Sequence, residues 1–228
     1  MRAFSFCLYN AYNPYYYVGL LENIALIQKN FPGWAIYVYI GNDVDLDFQE
    51  KLLELGCRLR QTGEIGDVNM VYRFFAIDEP DIDLMVVRDI DSRVHWKDQW
   101  AIRQFVSSPA RLHIIRDNRV HTVPILGGLW AMRKSSESIR DIYRSNPHGF
   151  QINLGHDQNF LANQIYFRFS RSEMLIHSSI SWKFHPDEVL TPFPFKWDPA
   201  VWCGRCELVG QKPPAAVKIS VLSLLNRA

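Results

Sequence analysis

The sequence predicts an α/β protein with a central, mostly parallel sheet flanked by helices, and three observations carry that reading. Short β-branched or aromatic runs alternate with segments of helical periodicity, the order that builds parallel strands joined by crossover helices. The run Leu84-Met85-Val86-Val87 is apolar at every position, as a strand buried on both faces must be. It ends abruptly in Arg88-Asp89-Ile90-Asp91-Ser92-Arg93, so charge is concentrated where a central strand runs out. In open α/β sheets that crevice, outside the carboxyl ends of the strands, is where ligands bind.

Taken in order, Ala3 to Tyr9 reads as the first strand and Asn10 to Tyr17 as a loop rich in Asn, Pro and Tyr. A nucleotide base would lie at such a strand end, which makes Tyr9 and Asn10 candidate ligand contacts. Tyr12, Tyr15, Tyr16 and Tyr17 suit either stacking on a base or ordinary packing. From Gly19 to Asn30, Leu20, Leu21, Ile24, Ala25 and Ile27 recur at helical spacing until Phe31-Pro32-Gly33-Trp34 breaks the helix. A second strand runs from Ala35 to Ile40, a helix from about Leu46 to Leu55 closed by Gly56, and a third short strand from Cys57 to Arg60. This is a right-handed βαβαβ unit. No Gly-x-Gly-x-x-Gly follows the first strand, which disfavours the dinucleotide-binding version of the fold.

Met70 to Ile77, with Arg73 inside it, predicts the next helix, broken by Asp78-Glu79-Pro80 ahead of the apolar strand. Lys97 to Val106 follows as a helix and Arg111 to Arg116 as a strand carrying His113. Gly127-Gly128 then precedes another apolar strand. Such a pair either lets a ligand approach the backbone closely or marks a bulge, and Trp130 offers a flat face beside it. Ser135 to Arg144 reads as a helix, and Gly155-His156-Asp157-Gln158 opens another, where an acidic first turn gains from the helix dipole. His177 stands at the end of the short run Met174-Leu175-Ile176, with His185 further on. Thr191 to Pro214 reads as irregular, and Ala215 to Leu225 is undecided.

A chain of 228 residues with 48% hydrophobic content fits one α/β domain over 1–228. The net charge of +1 argues against a nucleic-acid partner. No apolar run approaches the roughly 20 residues of a transmembrane helix, and the first residues lack a secretory layout, so a cytoplasmic location is expected. Of the four cysteines, Cys203 and Cys206 alone have metal-like spacing; a single Cys-x-x-Cys is weak evidence for zinc, and Cys7 and Cys57 read as core.

The carboxylates decide the chemistry. In an ideal strand Asp89 and Asp91 point the same way and Ile90 points back into the core. Like charges so close raise each other's pKa unless a cation or an arginine neutralises them. Mn²⁺ or Mg²⁺ held by the pair and completed by substrate phosphates is the usual solution.

Arg-Asp-Ile-Asp-Ser-Arg after an apolar strand resembles the Asp-x-Asp motif of GT-A glycosyltransferases, which bridges a metal ion to the diphosphate of a nucleotide sugar. Followed some thirty-five residues later by Pro124-Ile125-Leu126-Gly127-Gly128-Leu129-Trp130, it resembles a group of bacterial and viral glycosyltransferase domains, as does Phe31-Pro32-Gly33-Trp34. The likeness spans residues 4 to about 180. It implies a GT-A-like, Rossmann-type sandwich with a nucleotide-binding half over about 1–133 and an acceptor-side half with a C-terminal extension over about 134–228.

The resemblance also implies site roles. Asp89 and Asp91 would hold the metal, completed by a histidine, with His177 preferred over His185. Tyr9, Asn10, Arg73, Arg88, Asp89, Ile90, Gly128 and Trp130 would bind the nucleotide sugar. Asp157 and Gln158 would sit beside the sugar and reacting carbon, as in retaining enzymes. The activity implied is transfer of a hexose from a nucleoside diphosphate sugar, UDP-linked, to a carbohydrate or glycoconjugate acceptor. Two alternatives stay open: a nucleotidyltransferase or sugar pyrophosphorylase, and a non-catalytic carbohydrate-binding domain on the same frame.

Overall fold

The computed structural model describes residues 1–10, 12–145 and 155–207. Eight strands form one sheet in the order β3-β2-β1-β4-β6-β5-β7-β8. They are β1 (Arg2–Leu8), β2 (Ala35–Ile40), β3 (Arg58–Gln61), β4 (Leu84–Arg88), β5 (Leu112–Arg116), β6 (Leu129–Arg133), β7 (Met174–Ser178) and β8 (Leu190–Pro192). β6 runs antiparallel to both its neighbours, β4 and β5, and every other pairing is parallel. The predicted α/β class, with a mostly parallel sheet between helices, is the observed one.

Strand alternation divides the core into two layers. Ala3, Tyr37, Tyr39, Met85, Val87, Trp130 and Met132 face one side. There they meet a 3₁₀ helix, Gly66–Asp78, together with α4 (Ile139–Ser145) and α5 (His156–Phe160), which continues as one π turn through Ile165. Phe4, Phe6, Leu8, Ile36, Val38, Ile40 and Val86 face the other side, against α1 (Pro14–Asn30), α2 (Leu46–Glu54) and α3 (Trp96–Ser107). The helix ends follow local chemistry. Asn13 caps α1 by accepting from Tyr15 N, and Asp45 caps α2 by accepting from Phe48 N.

Several predicted elements shift. The segment around Arg73 is not an α-helix but a longer 3₁₀ helix, and the sequence contains the reason: Val71, Phe74 and Ile77 are three apart, share one side of a three-residue turn, and are all buried. The predicted helix from Ser135 starts only at Ile139, because the Asp78 carboxylate accepts from Ile139 N, Arg140 N and the Ser138 hydroxyl and so fixes the first turn there. The third strand is displaced by one residue. Within 191–207 the chain is irregular apart from the short β8 and isolated bridges, while Ala215 to Leu225 lies outside the described residues. Among the described residues no helix is long and apolar enough to cross a membrane.

Candidate active site at the switch of the sheet

β1 and β4 lie side by side, but from β1 the chain order runs outward through β2 to β3, and from β4 it runs the opposite way. Connections on the two sides diverge there, leaving a crevice at the carboxyl ends of these two strands. A cleft of about 540 Å³ occupies that place. Cys7, Tyr9 and Asn10 line it from β1, and Asp89, Ile90 and Asp91 from β4. Arg73 of the 3₁₀ helix and Asp157 and Gln158 of α5 close the side between them. Asn10 turns the chain at φ 69°, a left-handed conformation that asparagine tolerates better than most residues.

The cleft is organised by one guanidinium. Arg73 Nη1 lies 3.1 Å from Asp89 Oδ1, and Nη2 lies 2.9 Å from Asp157 Oδ2. Nη1 also approaches Cys7 Sγ at 3.4 Å, and Ser5 Oγ donates to the Arg73 carbonyl at 2.6 Å, so β1 holds the arginine from below. Asp89 lies partly buried in the cleft, with 39% of its side chain exposed, and that partial burial pushes its carboxyl upward, toward about 6; Arg73 opposes the shift, while Asp91 and Asp157 push the same way. Asp67, Asp89, Asp91 and Asp157 line the cleft beside Arg73, more carboxylates than one guanidinium neutralises, and such a cluster favours a bound cation. Burial also raises the Cys7 thiol to about 11, so Cys7 is not a thiolate nucleophile at neutral pH. The Tyr9 phenol is raised by burial as well and stays a neutral hydrogen-bonding group.

The glycine pair serves this carboxylate cluster. A Cβ on Gly127 would come within 2.6 Å of Arg73 Nη2 and collide with Asp157 Oδ2. A Cβ on Gly128 would come within 2.7 Å of the Asp89 backbone N and overlap its carboxylate. The backbone thus makes room for the protein's own acidic groups; Gly127 lines the cleft, and Gly128 lies against Asp89.

The Asp-x-Asp turn is braced from two sides. Arg93 donates to Ile90 O at 3.1 Å and pairs with Glu22 of α1 at 2.5 Å. Asn23 of α1 donates to Ser92 O and accepts from Val94 N. On the other side a strap from the C-terminal segment crosses the turn: Glu207 N donates to Asp91 O at 2.9 Å, Ser92 bridges to Cys206, and the Cys206 thiol lies 3.4 Å from Asp91 Oδ2.

Three expected site residues lie elsewhere. Arg88 is fully buried and forks onto Asp98, with Nη2 2.7 Å from Oδ1, so its charge is spent inside the protein. Trp130 is fully buried, edge-on to Phe74 on the core face, because pairing with Val87 in the antiparallel ladder turns both side chains into the same layer. His177 is fully buried against Trp100 and Phe193, with its Nδ1 2.8 Å from His113 Nε2, and it does not line the cleft. His185 does not line it either. Ile90 packs in the core, as predicted, while its edge lines the cleft.

No zinc site is built on the Cys-x-x-Cys pair: Cys203 is buried with its backbone N on Asp117, and Cys206 faces Asp91. Among the described residues no group of three His, Cys, Asp or Glu could by itself hold a metal ion. Two carboxylates with the remaining positions filled by phosphate oxygens and water is the arrangement that suits Mg²⁺ or Mn²⁺. Cys7, Asp67, His121 and Gly204 also line the cleft and carried no recognisable signal in the sequence, since only the sheet topology and the strap bring them there.

No protein-family model matches the chain, and none of the curated proteins is similar to it in sequence. Solved structures do resemble it. A glycosyltransferase involved in glycosylation of the major capsid of PBCV-1 superimposes with a TM-score of 0.53 at 14% identity, covering 78% of this chain and 81% of the other. S. aureus TarS 1-349 in complex with UDP-GlcNAc superimposes with a TM-score of 0.53 at 13% identity, covering 79% of this chain and 56% of the other. This chain therefore spans little more than half the length of the TarS fragment. At such low identity the likeness is one of fold, and the chain has the GT-A-like fold that these two structures share.

Proposed function

We propose that this chain is a metal-dependent glycosyltransferase that moves a sugar from a nucleoside diphosphate sugar, UDP-linked, to a carbohydrate or glycoconjugate acceptor. The observation that carries the reading is the carboxylate pair Asp89 and Asp91 at the carboxyl end of β4, in a cleft at the switch point of the sheet. The same fold in a protein solved in complex with UDP-GlcNAc supports the donor class.

Asp89 and Asp91 would hold Mn²⁺ or Mg²⁺, which when bound supplies Lewis-acid stabilisation to the leaving diphosphate. The protein's own groups do the rest. Arg73 fixes the orientation of Asp89 and Asp157 and adds positive charge beside the position of the diphosphate. Tyr9 and Asn10 flank the place of the base and ribose. Asp157 orients the sugar through a remaining lone pair of Oδ1, the oxygen that Arg73 does not engage, and the Gln158 amide orients the acceptor or the reacting carbon.

Retention is favoured by the state of Asp157. Inverting transfer needs a carboxylate free to take the acceptor proton. Asp157 has a 4% exposed side chain, with Oδ2 held by Arg73 Nη2 at 2.9 Å and Oδ1 accepting from Gln158 N at 2.8 Å, so both oxygens are engaged within the protein and the group is placed to orient rather than to act as the base. Free thiols at all four cysteines accord with a cytoplasmic setting.

The test is a panel of nucleotide sugars with Mn²⁺, read for release of nucleoside diphosphate and for the anomer of the fresh product by proton NMR. Mn²⁺-dependent release with the donor's anomeric configuration is expected. Release of pyrophosphate when a nucleoside triphosphate and a sugar 1-phosphate are supplied, with no diphosphate released from any nucleotide sugar, would make the protein a pyrophosphorylase, and carbohydrate binding without turnover of any donor would make it a binding domain.

A further inference from the structure

His121 has no part in the chemistry described so far, yet it is a buried imidazole, 3% exposed, in the wall of the cleft. It sits in the loop between β5 and β6, held by its own backbone N–H on Asn118 O at 3.0 Å and by Trp202 edge-on at 5.3 Å between ring centroids. Its ring is also fixed chemically. Asp117 N donates to His121 Nδ1 at 3.0 Å, so Nδ1 must keep its lone pair and the proton of the neutral ring resides on Nε2.

The neighbouring acid does not alter this assignment. The Asp117 carboxylate is taken up by Lys97 Nζ at 2.7 Å, Cys203 N at 2.9 Å and the Ser179 hydroxyl. Burial holds the imidazole down at about 4, so the ring is neutral throughout the physiological range. Among the described residues Nε2–H has no hydrogen-bond partner. A ring in this tautomer cannot ligate a metal through Nε2, because that nitrogen has no free lone pair. What it offers in the cleft wall is a single donor whose tautomer is already fixed.

We infer that His121 is a positioning residue of the donor site, giving its Nε2–H to an oxygen of the diphosphate-sugar portion of the nucleotide sugar. The inference rests on the glycosyltransferase reading and adds to it a contact outside the Asp-x-Asp turn. The donor is fixed before the ligand arrives, so the ordering cost is already met by the loop.

Two substitutions separate the two nitrogens. His121→Asn retains an acceptor at the Nδ1 position for Asp117 N–H and has no group at the reach of Nε2; His121→Gln carries an amide N–H at that reach. Calorimetric titrations would use UDP, UDP-glucose, GDP and GDP-mannose, each with Mn²⁺. His121→Asn should weaken the best-bound nucleotide sugar about tenfold, the scale of one hydrogen bond to a charged or strongly polar oxygen, and His121→Gln should recover much of that loss. A loss shared by the free diphosphate places the contact on phosphate; a loss confined to the nucleotide sugar places it on the sugar. Unchanged affinity in His121→Asn, or equal losses in both variants, would overturn the inference while leaving the glycosyltransferase reading standing. If the wild-type protein bound none of the four, that reading would fall and the inference with it. A readout independent of any variant is the ¹⁵N spectrum of labelled histidine: the expected form is Nε2–H with a bare Nδ1, shifting on addition of UDP-glucose with Mg²⁺, and a Nδ1–H form would overturn the assignment.

Discussion

Arg73 Nη1 stands 3.1 Å from Asp89 Oδ1, joining the 3₁₀ helix to the end of β4 across the mouth of the sheet. Through its other nitrogen the same side chain reaches Asp157 on α5, so one cation ties together the three elements that wall the cleft. Arg73 and Asp157 are both nearly fully buried, and removal of one member of such a pair leaves a charge with neither water nor partner. Arg73→Met should therefore destabilise the protein by about 3 kcal/mol in urea unfolding. Arg73→Lys should recover less than half of that, since an ammonium does not present a two-pronged fork to two carboxylates. A variant as stable as wild type would remove Arg73 from this structural role.

Asp89 gives a pH signature opposite to the usual acid. Partial burial in the cleft raises its carboxyl from 3.8 toward about 6, a shift that solvent tempers because 39% of the side chain is exposed, so between those values the folded protein binds more protons than the unfolded chain. Its contribution to stability is fully present below the unfolded value and is lost as pH rises through about 6. In chelator-treated protein, Asp89→Asn should raise stability relative to wild type above pH 6 and flatten the decline from about pH 4 to 6. Parallel stability curves for the two proteins across that window would contradict the assignment.

Trp130 belongs to the core and not to the donor site. Trp130→Phe should leave nucleotide-sugar affinity within about twofold of wild type and cost about 1–2 kcal/mol of stability, a large-to-smaller exchange in a packed layer. Quenching of tryptophan fluorescence by nucleotide sugar that disappears in this variant would return the indole to the site.

His177 is a structural partner of His113, so His177→Leu should leave the affinity for Mn²⁺ with UDP unchanged while lowering the melting temperature by several degrees, because His113 Nε2 loses its only hydrogen bond among the described residues. A tenfold loss of metal affinity would restore His177 to the metal shell.

These outcomes mark where the sequence was readable. The Leu84 to Val87 run and its charged end identify the central strand and the cleft, because burial on both faces and charge at a strand end leave a one-dimensional pattern. Trp130 was not legible, since its face depends on β6 entering antiparallel between β4 and β5, a fact of topology. His177 fails for the same reason: position at a strand end does not say which layer the ring enters, and here Trp100 and Phe193 enclose it. Arg88 and Arg73 looked equivalent in the sequence, and only Asp98 on α3, paired to the first, separates them. The strap at Cys206 and the donor at His121 come from distant chain brought alongside, which no local pattern announces.

The central claim is that the Asp89 and Asp91 pair makes nucleoside diphosphate binding depend on a divalent cation. Its most direct test is titration calorimetry of UDP into wild-type protein and Asp91→Asn, each with Mn²⁺ and with chelator. The account predicts binding in wild type only when Mn²⁺ is present, and its loss in Asp91→Asn with an unchanged melting temperature for the ligand-free protein. Equal affinity in the variant, or binding by wild type in chelator, would contradict it.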